Sequence, residues 1–360
     1  MSEIVPLSLD DPRWSDMLGR LAYRARVVDL QTQWPAESLA DLAAAGVLSW
    51  IVPGEYGGQG WLPADVTRGY VDLASACLTT TFILTQCNAA IQRIAESPNE
   101  ALKRELLPRL ARGEEWATVG ISHLTTSRQH LSRPVVEVAS VRDGYCVRGE
   151  IPWVTGGLQA NYIVTGGIQT DGLQLLLVVS TASAGVRCET PARLLALSAS
   201  STGRVGLSEV IVPTSRLVSG PAVAVMRSSS GGTGSLGTSA LATGLAQRAI
   251  ELLESEGAQR ADIAEIARRL RTEWTQLFED LLRAAAGLTA PMLSSESLRG
   301  RANALALRST QAALTATKGA GFVSGHPAER MVREAMFFLV WSCPQPVAAA
   351  ALREFACLVD

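Results

Sequence analysis

The sequence predicts an α+β chain in three regions, helical over 1–115, β over 116–220 and helical again over 221–360. Three observations carry this. Apolar residues recur at three- and four-residue steps near both ends of the chain. β-Branched runs and a hairpin turn occupy the middle. A Ser/Gly stretch, Ser228 to Gly234, reads as a loop that opens the last third.

In the first region Leu39, Leu42, Ala43 and Val47 fall on one helical face, as do Leu102, Leu106, Leu107 and Leu110. Between these helices Val52-Pro53-Gly54-Glu55-Tyr56-Gly57-Gly58-Gln59-Gly60 must be a loop, because its proline and glycines cannot continue a helix. In the second region Val135 to Val138 and Tyr145 to Arg148 flank Arg142-Asp143-Gly144, a hairpin signal. Tyr162 to Thr165, Leu175 to Val179 and Val205 to Val212 are further strands, and their partial alternation suits a small barrel or sandwich. In the third region helices are expected over Leu236–Leu253, Ala261–Gly287, Ser297–Thr317 and Glu329–Leu339. Pro344 and Pro346 then precede a last helix, Val347–Leu358.

Composition narrows the function. A net charge of −2 with 18% charged residues argues against a nucleic-acid binder, which needs a basic surplus. The 47% hydrophobic content suits a compact globular protein, and the low charged fraction suits a surface partly covered by other subunits. Cys77, Cys87, Cys146, Cys188, Cys343 and Cys357 form no C-x-x-C pair, and there are only three histidines. No metal site is expected, and the thiols suit a reducing cytoplasm. Met1 to Trp14 is polar and acidic, unlike a signal peptide, and no apolar run is long enough for a membrane span.

Six segments, in order, carry a resemblance. They are Leu42 to Val47 with the Val52–Gly60 loop; Leu107 to Glu114; Gly149-Glu150-Ile151-Pro152-Trp153-Val154-Thr155-Gly156-Gly157 with Ala160-Asn161; Glu209 to Pro213; Gly244 to Arg248; and Gly319-Ala320-Gly321-Phe322 with Pro327 to Ala335. Together they resemble the acyl-CoA dehydrogenase family across nearly the whole chain. The resemblance implies an N-terminal helical domain, a middle β-barrel domain and a C-terminal four-helix bundle. It also implies FAD lying between the β domain and the last helices.

By position, the resemblance puts Trp153, Val154 and Thr155 against the flavin ring, Thr155 donating near N5, and Ile121 and Ser122 at its pyrimidine end. Thr315 and Gly319 fall in the family's Q-x-x-G-G segment, with Lys318 beside them as a substitute for a missing arginine or as a solvated cation. Departures follow. The glutamate that removes the α-proton of an acyl thioester is replaced by Ser342, within Val340-Trp341-Ser342-Cys343-Pro344. The alternative position for that glutamate falls near Gly234, and the acyl-contacting arginine near Ser235. The R-x-x-F-G phosphate segment is shortened, leaving Arg260 to reach a phosphate, and Ser122 to Arg128 has lost a proline and a glycine. His123, one residue past a presumed flavin contact, reads as a proton donor or base, or as a histidine satisfied at a domain junction. Glu334 matches an acidic position that is structural in the family.

Three functions compete. One is an FAD-dependent oxidoreductase on an acyl-CoA, an acyl carrier protein thioester or another apolar substrate, with a non-standard active site. Another is a flavin monooxygenase or oxidase of the same fold, a branch that lacks the glutamate. The third is a half-site or non-catalytic subunit of a heteromer. The family implies a homodimer or homotetramer, since its last helices bury against one another.

Overall fold

The computed structural model describes residues 7–125, 134–226 and 236–358. The expected Ser/Gly loop, Gly234, Ser235, Ser127, Arg128 and His130 lie outside the described residues.

Five helices come first: α1 (Pro12–Gln31), α2 (Ala36–Ala44), α3 (Pro63–Ala76), α4 (Leu78–Ala95) and α5 (Glu100–Ala111). α1 starts where Asp11 accepts from the backbone N–H of Arg13 at 2.9 Å, with Pro12 next, where no N–H is needed. It buries Trp14, Met17, Leu21, Ala25 and Val28, one face at helical spacing. The glycine-rich segment between α2 and α3 is the loop the sequence predicts. Gly58 is obligatory there, because a Cβ would lie 1.9 Å from the Val52 carbonyl oxygen. Trp50 is fully buried, stacked on Trp61 at 4.5 Å and tilted against Trp14 at 5.6 Å, which pins the loop to α1.

The middle region runs β1 (Ala117–Gly120), α6 (Ser122–Thr125), β2 (Val136–Val141), β3 (Gly144–Val154), β4 (Tyr162–Ile168), β5 (Gln174–Ser180), β6 (Val186–Cys188), β7 (Gly203–Pro213) and β8 (Leu217–Ala222). The strand order is β6-β7-β3-β2-β4-β5-β8, with β1 paired to β4. β4 is parallel to β1 and β2, while the other pairs are antiparallel. The predicted hairpin closes as Val141 pairs with Gly144 around Arg142 and Asp143. β5 meets β7 although three strands separate them, so the sheet curls round an interior of Val136, Val147, Ile163, Leu177 and Val210.

The last region holds α7 (Leu236–Gly257), α8 (Ala261–Ala285), α9 (Ser295–Gly321), α10 (Pro327–Phe337) and α11 (Gln345–Phe355). α7 packs on α3, α8 and α9, so the first and last regions share one apolar core. Its approach to α3 requires Gly244, where a Cβ would lie 2.4 Å from the Val71 carbonyl oxygen. Among the described residues no helix is long and apolar enough to cross a membrane, no cluster of His, Cys, Asp and Glu could hold a metal, and all six cysteines are free.

Candidate functional site

The site is built from the C-terminal end of β3. Pro152 has no N–H to donate, and the β3–β7 register shifts between Ile151 and Val154. The irregularity leaves Trp153 50% exposed between buried Pro152 and Val154. Thr155 is held from two sides: its carbonyl accepts from the Thr118 hydroxyl at 2.8 Å, and its own hydroxyl lies 2.9 Å from that of Thr202. Thr202 in turn lies 2.8 Å from the Ser200 hydroxyl, and all four residues are buried. Gly156 has φ +64 and donates to the Ser200 carbonyl at 3.0 Å. A Cβ there would strike the Trp34 ring at 2.7 Å, so a glycine lets the indole close over the segment.

At the end of β1, Ile121 and Ser122 are half-buried and His123 is buried. The His123 Nε2 lies 2.9 Å from the Gly166 carbonyl oxygen, so this nitrogen carries the proton and donates. Burial pushes the imidazole pKa down against the opposing effect of that bond, so the ring is neutral. Its Nδ1 is a buried acceptor with no hydrogen-bond partner.

The other expected residues belong to the last helical region. Ser342 occupies the turn between α10 and α11 with φ +46, half-buried, and no carboxylate among the described residues is bonded to it. Aromatic rings fix this turn: Trp341 stacks on Phe337 at 5.0 Å, and Phe82 of α4 meets both edge-on at 4.9 Å. From α9, Arg299 donates to the carbonyls of Phe338 and Trp341 at 3.1 and 2.8 Å, and Asn303 to that of Phe338 at 3.1 Å. α4 is the element common to both groups of residues, because it also packs on the turn that carries Ser200. α4 therefore touches Trp341, next to Ser342, and the turn whose Ser200 is linked through Thr202 to Thr155.

Thr315 and Gly319 are exposed. The Thr315 hydroxyl donates to the Gln311 carbonyl at 2.9 Å, and open space surrounds Gly319. Lys318, exposed beside them, breaks α9 with φ +52 and ψ −144. Arg260 donates to the Ala316 carbonyl at 2.8 Å and pairs with Glu256 at 3.4 Å, so it fastens α9 instead of extending to a phosphate. Glu334 is buried on α10, and burial raises its pKa to about 7. Sequence reasoning passed over Thr118, Ser200, Thr202, Trp34 and Arg299, which lie far along the chain from the residues they hold and belong to no local motif.

The family model for the acyl-CoA dehydrogenase N-terminal domain matches residues 18–114. A probable acyl-CoA dehydrogenase of Bacillus subtilis, YngJ, is 24% identical over 244 residues, 64% of this chain and 62% of that protein; the chain thus spans less than two thirds of that relative's length. The NADH-dependent acryloyl-CoA reductase of Anaerotignum propionicum is 24% identical over 355 residues, 90% of this chain and 89% of that one. In three dimensions the chain is similar to butyryl-CoA dehydrogenase from Megasphaera elsdenii, with a TM-score of 0.80 at 17% identity, covering 95% of this chain and 99% of the other.

Proposed function

The chain belongs to the acyl-CoA dehydrogenase family of flavoprotein oxidoreductases, and from that premise we propose that it is a flavin-dependent oxidoreductase acting on an acyl thioester without the family's proton-abstracting carboxylate. The observation that carries the proposal is the Trp341–Ser342 turn, which presents a half-buried hydroxyl at the position that the resemblance assigns to the glutamate.

The residues fit the ring end of a flavin. Trp153 offers a half-exposed aromatic face, with Leu158 also exposed nearby in sequence, and the orphaned His123 Nδ1 is an acceptor for an N–H group. Trp153, Val154, Thr155, Ile121 and Ser122 would hold the ring, and Thr315 and Gly319 the dinucleotide end of FAD. When bound, the flavin supplies a hydride acceptor. The protein's contribution is orientation. If Ser200 donates to Thr202 and Thr202 to Thr155, the Thr155 proton is free to donate outward, since each hydroxyl has one proton and two lone pairs. Trp34 closes over Gly156 and limits water at that end. In the last helical region Ser342 can donate or accept a hydrogen bond, but a neutral hydroxyl is a far weaker base than a carboxylate. The α-proton must therefore leave slowly, or to a group other than residue 342.

A half-site subunit is the second reading, favoured by the engagement of Arg260 with Ala316 instead of a phosphate. Exposed Val340, Leu352, Phe355 and Leu358 near the C-terminus support burial in a homodimer or homotetramer, or against a homologous subunit. An absorbance spectrum of the purified chain, with and without FAD, tests the proposal. Flavin bands that survive gel filtration are expected. Bands that appear only with an added homologous subunit identify the half-site, and none under saturating FAD, with or without that subunit, overturns both readings.

A further inference from the structure

Arg299 is fully buried in α9, yet its charge meets no carboxylate: no acidic side chain among the described residues forms an ion pair with it. The guanidinium has five N–H donors. The Nη2 atom serves the carbonyls of Phe338 and Trp341, and the cation lies 5.8 Å from the centre of the Phe338 ring. The Nε and Nη1 atoms are enclosed and have no hydrogen-bond partner. One turn along α9, Asn303 uses its Nδ2 on the same Phe338 carbonyl and leaves Oδ1 buried and unpartnered. Burial lowers the Arg299 pKa to about 10, so the group stays charged at neutral pH. Burial pushes the Cys343 thiol up, so that group supplies no counter-charge at neutral pH.

A buried cation without a counter-charge is costly, and an arginine cannot escape that cost by losing its proton. A groove of about 680 Å³ runs between α9 and α11, lined by Gly300 and Asn303, which neighbour Arg299 on α9, and by Leu339 and Val347. The charged Glu296, Arg301, Arg308 and Glu354 also line it; Arg299 lies behind this lining and not in it. We propose that Arg299 is an internal binding site for a small monoanion, a carboxylate or a halide, beneath the turn that carries Ser342. The anion accepts from Nε and Nη1, and a water that enters with it donates to Asn303 Oδ1. The carboxylate has two possible sources: a free ion, or the far end of an acyl thioester. Only the second rests on the functional reading above, and the two are separated by the test.

Thermal melting of the full chain is followed in rising sodium bromide or sodium formate, and separately with succinyl-CoA against butyryl-CoA, for wild type, Arg299→Lys and Arg299→Met. At ~100 times the dissociation constant the wild-type Tm should rise by about 3 °C. Arg299→Lys should show a weakened rise and Arg299→Met none. A rise with formate or bromide identifies a free anion. A rise with succinyl-CoA but not butyryl-CoA identifies a substrate carboxylate and supports a thioester site as well. Equal responses in wild type and both variants overturn the proposal. Should Arg299→Met fail to fold, crystals of wild type grown in bromide decide: an anomalous peak within hydrogen-bond distance of Nε or Nη1 supports the site, and an internal water only overturns it.

Discussion

Replacing Ser342 by glutamate is expected to raise, by about 10²–10⁴-fold, the rate at which the flavin-loaded protein exchanges the α-protons of an acyl-CoA with deuterated solvent. The figure is the ordinary contribution of a positioned general base. The exchange should be structurally mild. Residue 342 already holds a left-handed φ of +46, which costs any L-residue about 1–2 kcal/mol, and serine carries that strain in the wild type. The side chain is half-buried at the end of an aromatic stack of Phe337 and Trp341, so an added carboxylate enters a partly dry environment that favours a raised pKa. Ser342→Ala should leave the exchange rate near wild type, because the hydroxyl is not the base. NMR of the recovered thioester reads both variants. A wild-type rate already equal to that of Ser342→Glu, or one lost in Ser342→Ala, would contradict the assignment.

The second large effect concerns stability. The Glu334 carboxyl is raised from its ordinary value of 4.5 to about 7, first by burial and then by Asp29 and Glu329, against the opposing pull of Arg330 and Arg333. Its nearest cation is Arg330 at 3.6 Å, and buried Cys77 at the α3–α4 junction senses both charges. The sign follows from the order of the two pKa values. Below 4.5 both folded and unfolded chains hold the proton and Glu334 contributes nothing. Between 4.5 and 7 the unfolded chain releases it first, so stability falls as pH rises, and above 7 the loss is complete. Its size is about 3 kcal/mol. Chemical denaturation of wild type and Glu334→Gln across this range should give stability differences that shift by that amount and level off above neutrality. A difference independent of pH would show that Glu334 ionises normally.

Much of the fold is legible in the sequence because its signals are local. The glycines of the Val52–Gly60 loop exclude helix wherever a Cβ has no room, and Arg142-Asp143 closes a hairpin whose strands alternate correctly. Helix ends were less legible. α9 runs Ser295–Gly321 where Ser297–Thr317 is expected, and it passes through the non-helical Lys318, whose backbone no propensity anticipates. The short helix Ser122–Thr125 lies in a segment that resembles a family loop. Trp153 and Thr155 stand out by resemblance, but the partner of the Thr155 hydroxyl lies 47 residues away, and that contact exists only once β3 and β7 are adjacent. Arg299 is the least legible. A cation in a helical stretch reads as solvated, yet the packing of α9 against the Phe338–Trp341 turn buries it completely.

The central claim is that a flavin scaffold of this family is kept here while its carboxylate is not. Anaerobic mixing of the flavin-loaded chain with butyryl-CoA, followed at the visible flavin band, tests it most directly. Wild type should perturb the band on binding and bleach it at least ~100-fold more slowly than Ser342→Glu. Bleaching of wild type as fast as the glutamate variant would mean that another group already removes the proton, and the claim would fail.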